Sequence, residues 1–129
     1  MSKVYQQYRD RVDFLTIYVK EAHPTDEWQM PDNEDEGVCY LQPRTSAERV
    51  AIANDFVKRF HYDIPLLVDA IENPANALYA AWPERLYIIG ADGRIAYKGG
   101  MGPFEYKPEE VEAWLAANVG GVTEPTTNR

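Results

Sequence analysis

The run from Val12 to Val19 limits the possible folds of this chain more than any other stretch. It is almost continuously apolar and rich in branched and aromatic side chains. Such a run predicts a strand covered on both faces, because a strand with one wet face would alternate apolar and polar residues. We therefore expect a central strand rather than an edge strand.

One helix is predicted before that run and a second helix after it. Val4, Tyr5 and Tyr8 fall on one helical face, which predicts that the sequence starts in the tail of a helix. Further on, Thr45 and Glu48 have the spacing of a capping box, in which both side chains satisfy amides at a helix start. The inward face of this second helix is expected to consist of Val50, Ala53, Val57 and Phe60.

The second half of the chain predicts three strands and two helices. The strands are expected at 64–68, 86–89 and 94–97, and Asp92-Gly93 between the last two is a strong hairpin signal. Asn73-Pro74 opens a short helix, since proline is tolerated at the first helical position. Pro108 starts the last helix, which we expect to turn Val111, Trp114 and Leu115 inward.

Strands alternate with helices, and the chain ends in a hairpin and a helix. This order predicts an α/β domain with a mixed sheet flanked by helices. With 129 residues and 45% hydrophobic content, the chain is expected to form one domain over 1–121, followed by a flexible tail at 122–129.

Charge and hydropathy argue against two classes of partner. The formal net charge is −8, and a negative surface field repels a phosphate backbone, so we expect no nucleic-acid binding. The sequence has no apolar run of 18 residues and no signal-peptide pattern at its start, so no membrane partner is expected. A cytoplasmic location is the default expectation, although a lost N-terminal extension could have carried a targeting signal.

Three segments give the chain a family resemblance: Glu21 to Trp28 (Glu-Ala-His-Pro-Thr-Asp-Glu-Trp), Trp82 to Tyr87 (Trp-Pro-Glu-Arg-Leu-Tyr) and Tyr97 to Phe104 (Tyr-Lys-Gly-Gly-Met-Gly-Pro-Phe). They resemble the iodothyronine deiodinases, a branch of the thioredoxin-like fold. The resemblance runs from about Val4 to Leu115 and starts after the point where that family carries its redox-active selenocysteine or cysteine. It implies a thioredoxin-like sheet that lacks its first strand and the start of its first helix.

Glu21 and His23 match positions that lie beside the selenium centre in that family, so the resemblance implies inherited catalytic positions. His23 also follows a predicted strand, at the sheet edge where open α/β folds bind ligands. Its imidazole can donate and accept a proton near neutral pH, and Glu21 could fix its tautomer. Alternatively, His23 bonds a loop carbonyl and Trp28 is a hydrophobic lid.

Arg85 and Pro83 are expected, with Trp28, to bind substrate. A guanidinium entering a strand is costly to bury without an anion, so we expect Glu84, Glu21 or a ligand carboxylate near Arg85. The alternative is a purely internal ion pair. Pro83 matches the proline that thioredoxin-like folds hold cis, so we expect a cis peptide bond there.

Cys39 is the only cysteine, and it lies in a stretch rich in carboxylates rather than at a helix N-terminus. A thiolate is stabilised at a helix N-terminus, so Cys39 is interpreted as a structural residue, with a reactive or intermolecular disulfide-forming thiol as the alternative. The family's further histidine is missing from Leu41 to Arg44. The acidic cluster at 32–36 does not have an EF-hand spacing, and we expect neither a metal nor a cofactor.

Three functional hypotheses remain. The chain is a deiodinase-like protein without redox activity of its own, or a thiol- or selenol-dependent oxidoreductase of the reductive dehalogenation type whose N-terminal catalytic element is missing from this sequence. It could also be a homodimeric interaction module or a binding module for an aromatic or anionic small molecule. A missing central strand would leave 14–19 and 86–89 with unpaired edges, so we expect a homodimer whose interface includes Val4, Tyr5 and Tyr8.

Overall fold

A computed structural model describes residues 1–22 and 41–120 of the chain. Within these ranges the elements are α1 (Ser2–Tyr8), β1 (Thr16–Tyr18), α2 (Ser46–Phe60), β2 (Leu66–Val68), α3 (Pro74–Tyr79), β3 (Tyr87–Ile89), β4 (Ile95–Lys98) and α4 (Pro108–Asn118). Their order is the one that the sequence predicts, and it confirms the α/β class. The predicted tail at 122–129 lies outside the described residues.

The four strands form two separate pairs. β1 runs parallel to β2, with Ile17 opposite Leu67, and β3 runs antiparallel to β4, with Ile88 opposite Tyr97. In the described residues no ladder joins β1 to β3. Among residues 1–22 and 41–120, each of these two strands therefore has one edge without a strand partner, as the sequence predicted for this region.

β1 is shorter and more exposed than the apolar run suggested. Leu15 is 57% exposed and Ile17 is 37% exposed, so the expectation of a strand covered on both faces is wrong for the described residues. The other face is covered, because Tyr18 contacts Phe56 of α2 with ring centroids 5.9 Å apart. The apolar run thus has one packed face and one bare face.

The buried core lies between the first and last helices. Val4 and Tyr8 of α1 pack with Val111 and Leu115 of α4, and all four are at most 5% exposed. The predicted inward face of α4 is thereby confirmed. Val4 and Tyr8, which were expected with Tyr5 in a dimer interface, have packing partners within the chain, and the homodimer itself stays a prediction.

The start of α2 confirms the predicted cap with one difference. The Thr45 hydroxyl accepts a hydrogen bond from the Glu48 amide at 3.2 Å. The Glu48 carboxylate, however, accepts from the Arg44 amide at 2.7 Å rather than from that of Thr45. Both bonds satisfy amides near the helix start, which is the physical purpose of the motif.

The inward face of α2 is rotated from the predicted one. Arg49 and Ala53 are buried at 1% and 2% exposure, whereas Val50 and Phe60 are 42% and 50% exposed. Hydrogen bonds explain why Arg49 is on the buried face: its guanidinium donates to the carbonyls of Asp69 and Ala70 at 3.1 and 2.7 Å. These bonds hold the turn after β2 against the helix.

The predicted Asp92-Gly93 turn joins β3 to β4 in a hairpin. Gly93 adopts a φ of 79°, in the left-handed region where glycine meets no steric penalty. The Arg94 amide donates to the Asp92 carboxylate at 3.0 Å. In the described ranges, no helix is long and apolar enough to cross a membrane.

Candidate functional site

The end of β1 places Tyr18 and Glu21 against each other. The Tyr18 hydroxyl donates a hydrogen bond to the Glu21 carboxylate. The Gln42 side chain holds the same residue through its backbone: the Glu21 amide donates to Oε1 of Gln42, and Nε2 of Gln42 donates to the Glu21 carbonyl, both at 3.1 Å. Glu21 is therefore fixed on both its backbone and its side chain.

The environment of Tyr18 keeps its phenol protonated. Burial raises the pKa of Tyr18 well above its usual range, and the hydrogen bond and negative charge of Glu21 raise it further. The positive charge of Arg49 acts in the opposite direction. The pair therefore consists of a neutral phenol that donates to an oriented carboxyl group, which leaves the remaining acceptor positions of Glu21 open to a third group.

Arg85 connects two turns of the backbone. Its Nε donates to the Ala80 carbonyl at 2.9 Å and its Nη1 donates to the Gly99 carbonyl at 2.8 Å. The expectation of a carboxylate partner is not met in the described residues, where Glu84 does not form an ion pair with it. Carbonyl oxygens solvate the guanidinium in place of an anion, which satisfies the same desolvation requirement.

The peptide bond between Trp82 and Pro83 is cis, as predicted. The Lys20 ammonium lies 5.4 Å from the centroid of a Trp82 ring. This contact brings the end of β1, next to Glu21, beside the segment that carries Pro83 and Arg85. The Trp82 indole nitrogen is buried without a hydrogen-bond partner among the described residues.

An apolar cleft of about 600 Å³ lies between the two strand pairs. One wall is formed by Phe14 to Ile17 of the first pair and the other by Leu86 to Ile89 of the second. Val111 and Leu115 of α4 also line it. Such a volume is within the range of about 300 to 1,000 Å³ that is usual for ligand sites.

The structure brings some of the sequence-predicted site residues together and not others. Pro83 and Arg85 both line the cleft, whereas Glu21 is not among its lining residues. His23 and Trp28 lie outside the described residues, as does Cys39, so their predicted places stay predictions. In the described part of the chain, no group of three His, Cys, Asp or Glu side chains is placed to hold a metal ion.

Sequence reasoning missed three residues that build this region. The sequence pattern gives Tyr18 no role beyond the apolar strand and Gln42 none beyond a departure from the family pattern, and it singles out no role for Arg49. The i, i+4 spacing of Arg49 and Ala53 was the available signal for the buried face. For Gln42 the sequence contains no comparable signal.

The fold and the site together define a class. The arrangement is a mixed α/β domain with small sheets and flanking helices, consistent with a thioredoxin-like fold. A cis proline lines a cleft beside the end of a strand that carries a hydrogen-bonded carboxyl group. Of these features, the cis peptide bond before Pro83 is the one that the family resemblance implied.

Comparison with known proteins identifies the family. The family profile described as iodothyronine deiodinase matches residues 1–119. The chain is 40% identical over 110 residues to a type I iodothyronine deiodinase of Xenopus laevis, covering 85% of this chain and 41% of the relative. It is 34% identical over 115 residues to a type II iodothyronine deiodinase of Rattus norvegicus, covering 88% and 43%. The chain therefore belongs to the iodothyronine deiodinase family, and it spans less than half the length of these relatives.

Proposed function

We propose that this chain is a deiodinase-like protein that holds a substrate-facing region of the family but does not turn over a substrate by itself. The observation that supports this is the cysteine content: Cys39 is the only cysteine in the 129 residues. Reductive chemistry in this class of fold needs a thiolate or selenolate stabilised at a helix N-terminus. In the sequence, Cys39 follows the acidic cluster at 32–36, and the 129 residues contain no second cysteine with which it could form an internal disulfide.

The substrate-facing role rests on the Tyr18–Glu21 pair and on Arg85. A carboxyl group whose partner is a neutral phenol can accept a hydrogen bond from a phenolic substrate. Arg85 supplies a positive charge on the wall of the apolar cleft. We propose weak binding of an aromatic anion near Arg85 and Pro83, with Glu21, His23 and Trp28 as further contacting residues.

The activity test is thiol-driven deiodination of an iodothyronine. In that reaction a thiol reductant gives two electrons, iodine leaves as iodide and a proton takes its place on the ring. We expect no turnover above the buffer rate, and no insulin reduction. Thiol-dependent iodide release that Cys39→Ser abolishes would show that the chain is a complete reductase.

A binding experiment separates the substrate-facing role from activity. Titration with an iodinated phenol carrying a carboxylate is expected to shift the amide signals of Arg85 and its neighbours in the parent. Arg85→Ala is expected to weaken this binding, while Arg94→Ala, an exposed arginine on the hairpin turn, keeps it. Equal titrations of the Arg85 variant and the parent would reject the proposed substrate contact.

A second candidate function is catalytic. In it, the redox element lies in an upstream sequence that the 129 residues do not include, and the chain is part of a thiol- or selenol-dependent dehalogenase. The relatives' greater length favours this possibility. An in-frame upstream segment encoding an apolar strand followed by cysteine or selenocysteine would support it, and a stop codon directly upstream would remove it.

A further inference from the structure

Trp82 is linked to the ends of both strands of the first pair. Its backbone amide donates to Oδ1 of Asn76 in α3 at 2.9 Å. The Asn76 amide in turn donates at 3.0 Å to the carboxylate of Asp69, the residue that follows β2. The ammonium of Lys20, two residues after β1, lies 5.4 Å from the centroid of a Trp82 ring. Trp82 therefore has one link to the end of β2 and another to the end of β1.

The two links fix different parts of this region. The Asn76 bond holds the backbone of Trp82, which continues through a cis peptide bond into the segment that carries Arg85. The Lys20 contact joins that segment directly to the residue that precedes Glu21. No ladder joins β1 to β3 in the ranges that the structure describes. The separation between Glu21 and Arg85 therefore depends on contacts such as this one rather than on backbone pairing.

The Lys20 ammonium has an aromatic face as its partner. Lys20 is half-buried, and within residues 1–22 and 41–120 it forms no ion pair. A cation within about 6 Å of a ring centroid is attracted by the negative face of the ring, and tryptophan is the strongest of the aromatic partners. The contact thus depends on a positive charge at position 20 and on an indole ring at position 82.

The indole of Trp82 contributes through its ring rather than through its N–H group. The indole nitrogen is buried without a hydrogen-bond partner in the described part of the chain, and burying an unpaired donor is unfavourable. Phenylalanine would avoid this cost but would offer a weaker face to a cation. The ring face toward Lys20 is therefore a property that tryptophan supplies at this position.

We propose that Lys20 and Trp82 are a positioning pair, whose contact sets the separation between the Glu21 carboxyl group and the Arg85 guanidinium. The inference rests on the proposed function, because these two groups belong to the proposed site for an aromatic anion. Lys20 acts through its neighbour Glu21, and Trp82 acts through the segment that leads to Arg85. Neither member of the pair has to touch the ligand.

Binding of an iodinated phenol that carries a carboxylate tests this pair. Lys20→Met keeps an unbranched side chain and removes the charge, so fewer molecules hold Glu21 and Arg85 at the binding separation. The apparent affinity falls by the same factor as that population, and we expect a loss of about threefold to tenfold. Lys20→Arg keeps a cation that can lie on the ring and is expected to bind within about twofold of the parent.

A matched control accounts for the change in net charge. Lys3→Met makes the same change at an exposed position of α1 and is expected to leave the affinity unchanged. Equal losses in Lys3→Met and Lys20→Met would show a general electrostatic effect and would overturn the proposal.

A double-mutant cycle distinguishes positioning from direct attraction of the anion by Lys20. If the two residues act through their contact, Lys20→Met should weaken binding by less than about twofold further once Trp82→Leu is present. Losses that multiply would show that Lys20 acts on the ligand directly, and they would refute the positioning role.

Measurements without ligand test the pair independently of the proposed function. We expect nuclear Overhauser effects between the Lys20 side chain and the Trp82 ring. Residual dipolar couplings of the β3 amides are expected to change relative to those of the β1 amides in Lys20→Met and to return to the parent values in Lys20→Arg. This result in a protein that does not bind the probe would support the positioning pair and contradict the proposed function. Couplings that stay the same in Lys20→Met would overturn the positioning pair, whether or not the probe binds.

Discussion

Replacing Arg49 should reveal how strongly the turn after β2 depends on one buried charge. Arg49 is 1% exposed and donates to the carbonyls of Asp69 and Ala70 and to the Asn73 side chain at 2.9 Å. The Asp69 carboxylate in turn accepts from the amides of Ala75 and Asn76, both at 3.0 Å. The arginine therefore stabilises both the turn and the start of α3.

The expected cost follows from these bonds. Arg49→Met leaves three buried or half-buried acceptors without their donor, and hydrogen bonds to charged groups contribute about 1.5 to 3 kcal/mol each. The variant no longer has the desolvation cost of burying a charged guanidinium, and this gain offsets part of that loss. We therefore expect a net destabilisation of about 3 kcal/mol. Arg49→Lys keeps the charge but not the planar fork, and should cost about 2 kcal/mol.

Urea unfolding measures this effect. For a denaturant slope of about 2 kcal/mol per molar, the midpoint of Arg49→Met should fall by about 1.5 M. Arg94→Met alters an exposed arginine and should change the free energy of unfolding by less than about 0.5 kcal/mol. If the Arg49 and Arg94 variants unfold at the same midpoint, the buried guanidinium does not stabilise the turn.

Three further predictions concern Tyr18, Leu115 and Thr45. The folded pKa of Tyr18 is raised, so its protonated phenol stabilises the fold fully below about pH 10, and this contribution is lost as the pH rises above that value. Between pH 10 and 12, the free energy of unfolding of Tyr18→Phe should therefore fall less steeply with pH than that of the parent, as followed by a spectroscopic titration. An unchanged slope would contradict the assigned burial. Leu115→Ala should lower the free energy of unfolding by about 2 to 5 kcal/mol, because it opens a cavity in the core, and a calorimetric change below 1 kcal/mol would argue against that core. Thr45→Ala should cost about 1 kcal/mol through loss of the α2 cap, whereas Thr45→Ser should restore stability; equal melting of the two variants would disprove the cap.

The elements that the sequence predicted well are specified by local chemistry. Asp92-Gly93 allows the tight turn, Thr45 caps its own helix, and Pro108 begins a helix whose Val111 and Leu115 are buried as the 3.6-residue period requires. Each of these features depends on residues within about one or two turns of chain, so the sequence alone contains the information.

The features that were missed depend on contacts between distant segments. The inward face of α2 was misplaced because the carbonyls that accept from Arg49 belong to a turn twenty residues away. The apolar run at 12–19 predicts a strand covered on both faces. Whether each face is covered depends, however, on elements from distant parts of the chain. For the candidate site, the cis Pro83 was predicted from the resemblance, whereas the Gln42 contact with Glu21 bridges twenty-one residues and has no local pattern.

The open cleft between β1 and β3 is the central claim, and cross-strand nuclear Overhauser effects in the free protein test it most directly. We expect contacts between Ile17 and Leu67 and between Ile88 and Tyr97, which are opposite each other in the two ladders. We expect no backbone contact between Ile17 and either Tyr87 or Ile89, and fast exchange of all three amides. Strong backbone contacts from Ile17 to Tyr87 or Ile89, with slow exchange at those amides, would show that β1 and β3 pair directly and that no cleft exists.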